Sequence, residues 1–330
     1  MTKSPSVLGR TLRVRELGVA GVLLLQIALF SFLIGRASDG TWIFLAPQNL
    51  TGIILESAVV GIATVGVTVV IISGGIDLSV GGLIALSSVV VAGLLRSNQP
   101  VPVALGGALL TGAFFGGIAA ALVTWVGLPP FIATLALMLI ARGLAFVLSK
   151  GEDWSIGTQA PGFTDVFGDG RILGVPYLIL VLIFVAAIVA WTLAKTAWGR
   201  QVFAVGGNET ASRYAGVSVH KIKWTVYVLS GVLAALAGII FAAKYGTGRS
   251  DTATGYELDA VAAAVVGGAS LSGGRGSIVG AVLGALIFTT LRTGLNQVPG
   301  ASVYQDMIIG LVVIGAVVID RLIQKRVAGG

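Results

Sequence analysis

Ile71-Ile72-Ser73-Gly74-Gly75-Ile76-Asp77-Leu78-Ser79-Val80-Gly81-Gly82 is a glycine-rich, polar interruption set between two long apolar runs. A second one, Gly267-Gly268-Ala269-Ser270-Leu271-Ser272-Gly273-Gly274-Arg275-Gly276-Ser277, divides the apolar residues near the end of the chain. Backbone that leaves a helix inside lipid cannot bond to water, so it persists only where protein or an aqueous cavity surrounds it. Paired interruptions of this kind point to a translocation path, and so to a protein that moves a small polar molecule. The residues expected along that path are Ser73, Gly74, Gly75, Asp77 and Ser79 in the first break, and Gly267, Gly268, Ser270 and Ser272 in the second.

Composition agrees. The 330 residues are 56% hydrophobic and 11% charged, against roughly 25% charged in ordinary soluble domains. Apolar runs fall at 17–34, 51–72, 80–95, 101–126, 131–149, 174–194, 224–243, 258–268, 276–291 and 303–319, with no hydrophilic domain between them. A spanning helix needs about 20 residues, so 258–268 is too short and 276–291 marginal; both read as half-helices or a re-entrant pair flanking the second interruption. The expectation is an all-α, polytopic transmembrane helical bundle of about ten membrane segments, some broken or re-entrant, forming one permease domain over residues 1–330. Gly112/Gly116 and Gly276/Gly280/Gly284 are spaced for close helix contact, since small residues let backbones approach in lipid.

The basic residues sit at the ends of the apolar runs. With the N-terminus inside and crossings alternating, thirteen fall on the inner side and seven on the outer. That bias places both termini in the cytoplasm, with a basic tail over 1–16, an inner loop over 195–223 and a C-terminal tail over 320–330. The net charge of +7 then serves topology and lipid headgroups rather than nucleic acid. There is no cysteine and one histidine, His220, which excludes thiol chemistry and leaves no Ser-His-Asp set or metal-site spacing. No G-x-x-x-x-G-K-[ST] stretch occurs, so the chain holds no nucleotide in a P-loop of its own.

The inner loop carries a helix signal. Asn208 is a good N-cap, Glu209 suits the positive end of the helix dipole, Ala211, Tyr214 and Ala215 make one semi-apolar face, and Gly216 is a stop. A two-turn helix of this kind either inserts into a groove on another protein or lies on the membrane surface. Charges within the runs are few: Glu56, Asp77, Arg142 and Arg275. Asp77 reads as an acid lining the path or as a local cap accepting the amides that open a helix at Ser79.

Taken together, Ser73–Gly81, Pro129–Leu135, Arg142-Gly143, Gly199-Arg200, Gly206–Gly216, Thr254–Ala260 and Gly267–Gly276 resemble the permease subunits of bacterial ATP-binding-cassette (ABC) importers for monosaccharides, the group that includes the ribose, xylose, arabinose and galactoside permeases. The matching stretches run in family order from about 50 to 320. Two departures leave the solute open: Ala136 stands where the family often has glycine, and Gly248-Arg249-Ser250-Asp251 replaces the Ser-Ala-Gln-Pro usual in the pentose permeases. The resemblance implies a multi-pass protein of the bacterial inner membrane. It implies a second permease subunit, same or homologous, two cytoplasmic ATPase subunits and a periplasmic solute-binding protein. It also implies no cofactor bound by this chain, with ATP used by the partner subunits. The helix Asn208–Gly216 falls where the family places its coupling helix, so Asn208, Glu209, Ala211, Arg213, Tyr214 and Gly216 would meet the ATPase. An ion- or proton-coupled secondary transporter is the competing reading, which broken helices and Glu56, Asp77 and Arg142 would suit.

Overall fold

Each apolar run becomes a helix, and prolines set several of the starts. The computed structural model describes residues 7–157 and 160–328. Its helices are α1 (Val7–Ile34), α2 (Pro47–Ile72), α3 (Val80–Arg96), α4 (Val101–Ala121), α5 (Pro130–Ser149), the single turn α6 (Pro161–Phe163), α7 (Tyr177–Lys195), α8 (Ala197–Gly207), α9 (Glu209–Tyr214), α10 (Val219–Tyr245), α11 (Tyr256–Val266), α12 (Ile278–Gln297) and α13 (Gln305–Ala328). Pro47, Pro102 and Pro130 stand in first turns, where a missing N–H costs nothing and the fixed φ favours the helix. Helix begins at Val7, inside the stretch expected as an N-terminal tail, and α13 runs on through the expected C-terminal tail. Residues 1–6, 329 and 330 of those tails lie outside the described residues.

Among the described residues, seven helices are long and apolar enough to cross a membrane: α1, α2, α4, α5, α7, α10 and α12. The remaining apolar segments, α3, α11 and α13, are shorter or less apolar. One expectation changes here. The run 276–291 reads as marginal, yet α12 has 20 residues: Arg292, just past that run, stays in the helix and pairs with Asp259 at 2.8 Å. Lys244, just past the run 224–243, likewise stays in α10, where it pairs with Glu56 of α2 at 2.6 Å.

Burial sorts the helices into two layers. In α2 and α10 most of the apolar span is enclosed by protein, 83% and 72%, whereas in α1 only 17% is. The inner layer is α2, α3, α10, α11 and α12; α1, α4, α5 and α7 wrap it and turn Leu24, Leu110, Phe114 and Leu139 outward. Outward apolar side chains on a spanning helix are solvated by lipid.

Glycine sets the helix spacing inside. A Cβ on Gly112 would lie 2.8 Å from the Gly231 carbonyl carbon, and one on Gly116 2.8 Å from Val228 Cα, so α4 and α10 touch backbone to backbone. Gly280 and Gly284 meet Gly267 and Ala263 in the same way, closing α11 against α12 as an antiparallel hairpin. The glycine spacings read from the sequence are therefore packing faces.

Gly112→Leu should lower the thermal unfolding midpoint in detergent, at a cost of about 1–3 kcal/mol from overpacking. Gly106→Leu, on the same helix with nothing within 4 Å of its added Cβ, should leave it unchanged. Equal midpoints for both variants would mean that α4 does not pack on α10 as described.

Candidate functional site

The first break begins where α2 runs out of helix. The Ser73, Gly74 and Gly75 amides turn back to the Val69, Ile71 and Val70 carbonyls, and Gly74 takes φ +84°. The chain then climbs back into the protein as non-helical backbone to start α3 at Val80. α3 has 17 residues, or about 25 Å at 1.5 Å per residue, short of the roughly 30 Å hydrocarbon slab. Asp77, 1% exposed, fastens the climb. Its Oδ1 accepts the Ser79 N–H at 2.9 Å and the Ser79 hydroxyl at 2.6 Å, and its Oδ2 accepts the Ser230 hydroxyl of α10 at 2.7 Å. Asp77 thus closes the turn that leads into α3 at its N-cap Ser79 and ties it to α10. Thr134 of α5 donates to the Ile76 carbonyl at 3.3 Å. Gly75 has no room for a side chain: a Cβ would fall 2.5 Å from the buried Tyr227 hydroxyl, which itself lacks a hydrogen-bond partner.

The second break links α11 to α12. Gly268, Gly273 and Gly274 all take positive φ, Ser270 N–H donates to the Arg275 carbonyl at 3.0 Å, and Gly273 N–H to Ser270 at 2.8 Å. Ser277 caps α12 by accepting Gly280 N–H at 3.1 Å and donates to Glu16 of α1 at 2.5 Å.

The two breaks meet. Gly274 N–H donates to the Ile72 carbonyl, the last residue of α2, at 2.8 Å. Gly206, near the end of α8, lies against both: a Cβ there would stand 2.7 Å from Gly274 N and 2.8 Å from the Ile72 carbonyl carbon. A Cβ on Gly273 would stand 3.0 Å from Gly74 Cα. Three chain segments therefore join through glycine and bare backbone at one end of the bundle. Of the residues expected along a path, Gly74 is brought to the Gly273 side of this junction. Ser73, Gly75, Asp77, Ser79, Gly267, Gly268 and Ser270 are buried, and Gly74 and Ser272 are exposed.

From the junction the chain passes straight into α9. The Asn208 side chain accepts Ala211 N–H at 2.8 Å, as its N-cap pattern predicts. Glu209 pairs with Arg213 at 3.2 Å and with Lys223 at the start of α10 at 2.7 Å. The Lys223 hydrogen bond, reinforced by the charges of Lys223 and Arg213, holds the Glu209 carboxyl below its usual pKa. Gly216 at φ +81° ends the helix, and Tyr214 projects into the open with 88% of its surface exposed. Helix α8 was not expected. Its signals were Thr196, which accepts Gly199 N–H at 3.2 Å, and the buried Val202 and Val205 three apart, but they follow the apolar run of α7 with almost no break.

At the other end of the bundle the polar groups are side chains. The 27 residues of α10 span about 40 Å, which carries the chain from the α9 face to Tyr245. There Glu56 accepts Lys244 Nζ at 2.6 Å, the Tyr245 hydroxyl at 2.5 Å and the Tyr256 hydroxyl. The loop 246–255 pairs with Trp154-Ser155 through Thr247-Gly248 and turns inward along α3. Arg142 of α5 holds it, donating from Nη1 to the Ser250 and Thr252 carbonyls at 3.3 and 3.0 Å and to Thr254 Oγ1 at 3.0 Å. A cavity of about 420 Å³ opens between this loop and α10, lined by Phe241, Tyr245, Thr247, Arg249, Asp251 and Thr252. Glu56 and Arg142 were visible in the sequence as charges within spans; their partners were not. Among the described residues no group of three or more His, Asp or Glu could hold a metal ion.

A polytopic bundle whose two broken segments meet under one exposed helix has the architecture of a membrane permease. Residues 49–317 match the family model described as the permease component of the branched-chain amino acid transport system. The ribose import permease protein of Escherichia coli strain K12 is 42% identical over 279 residues, covering 84% of this chain and 87% of that one. That of Bacillus subtilis strain 168 is 42% identical over 280 residues, 84% and 86% of the two chains. The D-allose transport system permease protein of Escherichia coli strain K12 is 36% identical over 283 residues, 86% of each chain. Among solved structures, a metal-chelate type ABC transporter in an inward-facing conformation aligns over 93% of this chain and 99% of its own, with a TM-score of 0.53 and 18% identity, a likeness of fold. The chain belongs to this permease family, and it is a permease subunit of an ABC importer.

Asp77→Ala strands the Ser79 amide and the Ser230 hydroxyl in a buried place, at about 1–3 kcal/mol for each unsatisfied group. Thermal unfolding of the purified protein should show a clear loss of stability, larger than for Ser230→Ala. Equal, small losses would mean that Asp77 does not close the turn into α3.

Proposed function

We propose that the chain translocates a monosaccharide or a sugar-like solute across the bacterial inner membrane, with the α9 face in the cytoplasm and both termini on that side. It works as one of two permease subunits, same or homologous. Cytoplasmic ATPase subunits bind α9 and hydrolyse ATP, this chain binds no cofactor, and a periplasmic binding protein delivers the solute at the opposite face. The carrying observation is the position of α9. An exposed, capped, ion-paired helix lies one residue beyond the Gly206-Gly207 pair, and Gly206 touches both membrane breaks. A push on α9 therefore reaches the end of α2 and the α11–α12 loop with no intervening side chain. A partner can drive such a switch only by binding its two states unequally, which ATP-dependent closure of an ATPase pair supplies. An ion-coupled carrier working alone has no use for this helix.

The sugar assignment is supported by the ribose and allose permeases among the relatives. Its test is uptake of D-ribose and D-allose into proteoliposomes holding the permease, its ATPase subunits and its binding protein. Uptake that requires ATP is expected; uptake on an ion gradient without any ATPase would overturn the proposal.

Two variants probe the coupling. Tyr214→Ala should weaken co-purification of the ATPase subunits roughly tenfold, as removal of an aromatic anchor does at an interface; undiminished co-purification would place α9 on the membrane surface instead. Gly206→Val should keep the ATPase bound and cut ATP-driven uptake at least about tenfold by wedging the junction apart. Normal uptake in Gly206→Val would show that the junction does not transmit the stroke.

A further inference from the structure

The acids within the bundle are matched to partners, with one exception. Glu56 has Lys244 and two tyrosines, Asp77 has Ser79 and Ser230, and Asp259 has Arg292 on Oδ2, although its Oδ1 is also buried without a partner. Glu257, on the first turn of α11, is the exception: its Oε2 is buried with no hydrogen-bond partner. The carboxyl carbon would stand 3.1 Å from a Cβ on Gly81, so the group lies on the bare backbone of α3. Arg142 is a cation in a similar position. Among the described residues its Nη1 donates only to neutral oxygens, and the acid that feels its charge, Asp251, is itself ion-paired with Arg249 at 3.0 Å.

These two groups are neighbours in the fold. Arg142 binds Thr254 Oγ1 at 3.0 Å, and Glu257 follows three residues later, past Gly255 at φ +85°. Gly82 of α3 backs onto Met138, one turn before Arg142, while Gly81 backs onto Glu257 and the Ala253 carbonyl. Both stand inward of the ends of the helices around them. Arg142 is seven residues short of the end of α5, and Tyr256 beside Glu257 reaches Glu56, nine residues into α2. A charge at that depth is expensive unless it faces a partner or water. Neither charge is closed by an ion pair, so Glu257 Oε2 and the Arg142 Nε and Nη2 keep hydrogen-bonding capacity that an occupant of the path can take.

We infer that Arg142, Thr254 and Glu257 form a solute station on the translocation path, and that its occupant is a neutral polyhydroxyl molecule. This rests on the transport reading above. The guanidinium Nε and Nη2 donate to ring or hydroxyl oxygens, Glu257 accepts hydroxyl protons, and Thr254 Oγ1, whose proton goes to the Asp251 carbonyl at 2.7 Å, accepts. A simple cation or anion would satisfy one end and repel the other. A sugar satisfies both without a net charge to move, and it binds weakly enough at each group to leave.

The test uses the fact that the chain has no cysteine, so Glu257→Cys introduces a unique thiol. In proteoliposomes with the ATPase subunits present, a membrane-impermeant cationic methanethiosulfonate should modify that thiol, and D-ribose should slow the reaction. Leu25→Cys, from the outward face of α1 where Leu25 is 71% exposed, should stay unreactive. A Glu257→Cys thiol that the reagent cannot reach would overturn the station, and so would protection by L-leucine in place of D-ribose. Glu257→Gln, which keeps the shape, should raise the transport KM for D-ribose about tenfold, the effect of removing a hydrogen bond to a charged group; a wild-type KM would also overturn it. Failure of the wild-type complex to take up sugar falls on the transport reading, whereas wild-type uptake with an unreactive Glu257→Cys thiol falls on the station alone.

Discussion

One hydrogen bond, Gly274 N–H to the Ile72 carbonyl at 2.8 Å, answers the difficulty that the rest of the fold creates. A chain that interrupts its helices within or beside lipid must satisfy each freed amide and carbonyl from inside the protein. Here one break satisfies the other. The end of α2 leaves a carbonyl, the α11–α12 loop brings an amide, and three glycines from separate segments remove the side chains that would keep them apart. Replace any of these glycines with a bulkier residue and the backbones separate, leaving polar groups stranded at both breaks.

The two ends of the bundle solve the same problem with different chemistry. On the α9 face the breaks are closed by backbone and by the Asp77 turn. At the opposite end the polar groups are long side chains in neutral sets, Glu56 with Lys244 and Asp259 with Arg292. Breaking such a pair by deleting one partner leaves an uncompensated charge, typically a loss of several kcal/mol. These pairs link α2 to α10 and α11 to α12, and the Tyr256 hydroxyl bonded to Glu56 joins the two pairs of helices into one unit.

What could be read from the sequence depended on how local the cause was. The Asn208 cap, the Gly216 stop and the Asp77–Ser79 turn lie within a few residues of the groups they satisfy, and pattern alone located them. The GxxxG faces were legible because spacing encodes the face, although only the structure gives Gly231 and Gly267 as the backbones they meet. Arg292 and Lys244 fall just outside the apolar runs at 276–291 and 224–243 because their partners stand 33 and 188 residues away, and an unpaired cation ends a span. Helix α8 was hidden by the apolar run of α7, since only Thr196 marks the boundary. The meeting of the two breaks could not be read at all: 202 residues separate Ile72 from Gly274, and glycine records that something comes close without recording what.

That contrast between the two ends bears on how a transport stroke would travel. Interlocked side chains resist sliding, because each displacement breaks a specific pair before another forms. A glycine junction has no knobs to lift over, so its segments shift by small amounts while keeping contact along bare backbone. The α9 end thus has the smoother surface and the opposite end the stiffer one. With α2, α10, α11 and α12 clamped at the far end, movement admitted at the junction becomes tilt of those helices about the clamp rather than separation. Tilt about a fixed point at the far end opens and closes the α9 end most, while the groups around Arg142 and Glu257 move least. The station proposed near that pivot would keep its geometry while access to it changes, as alternating access requires of a fixed binding site.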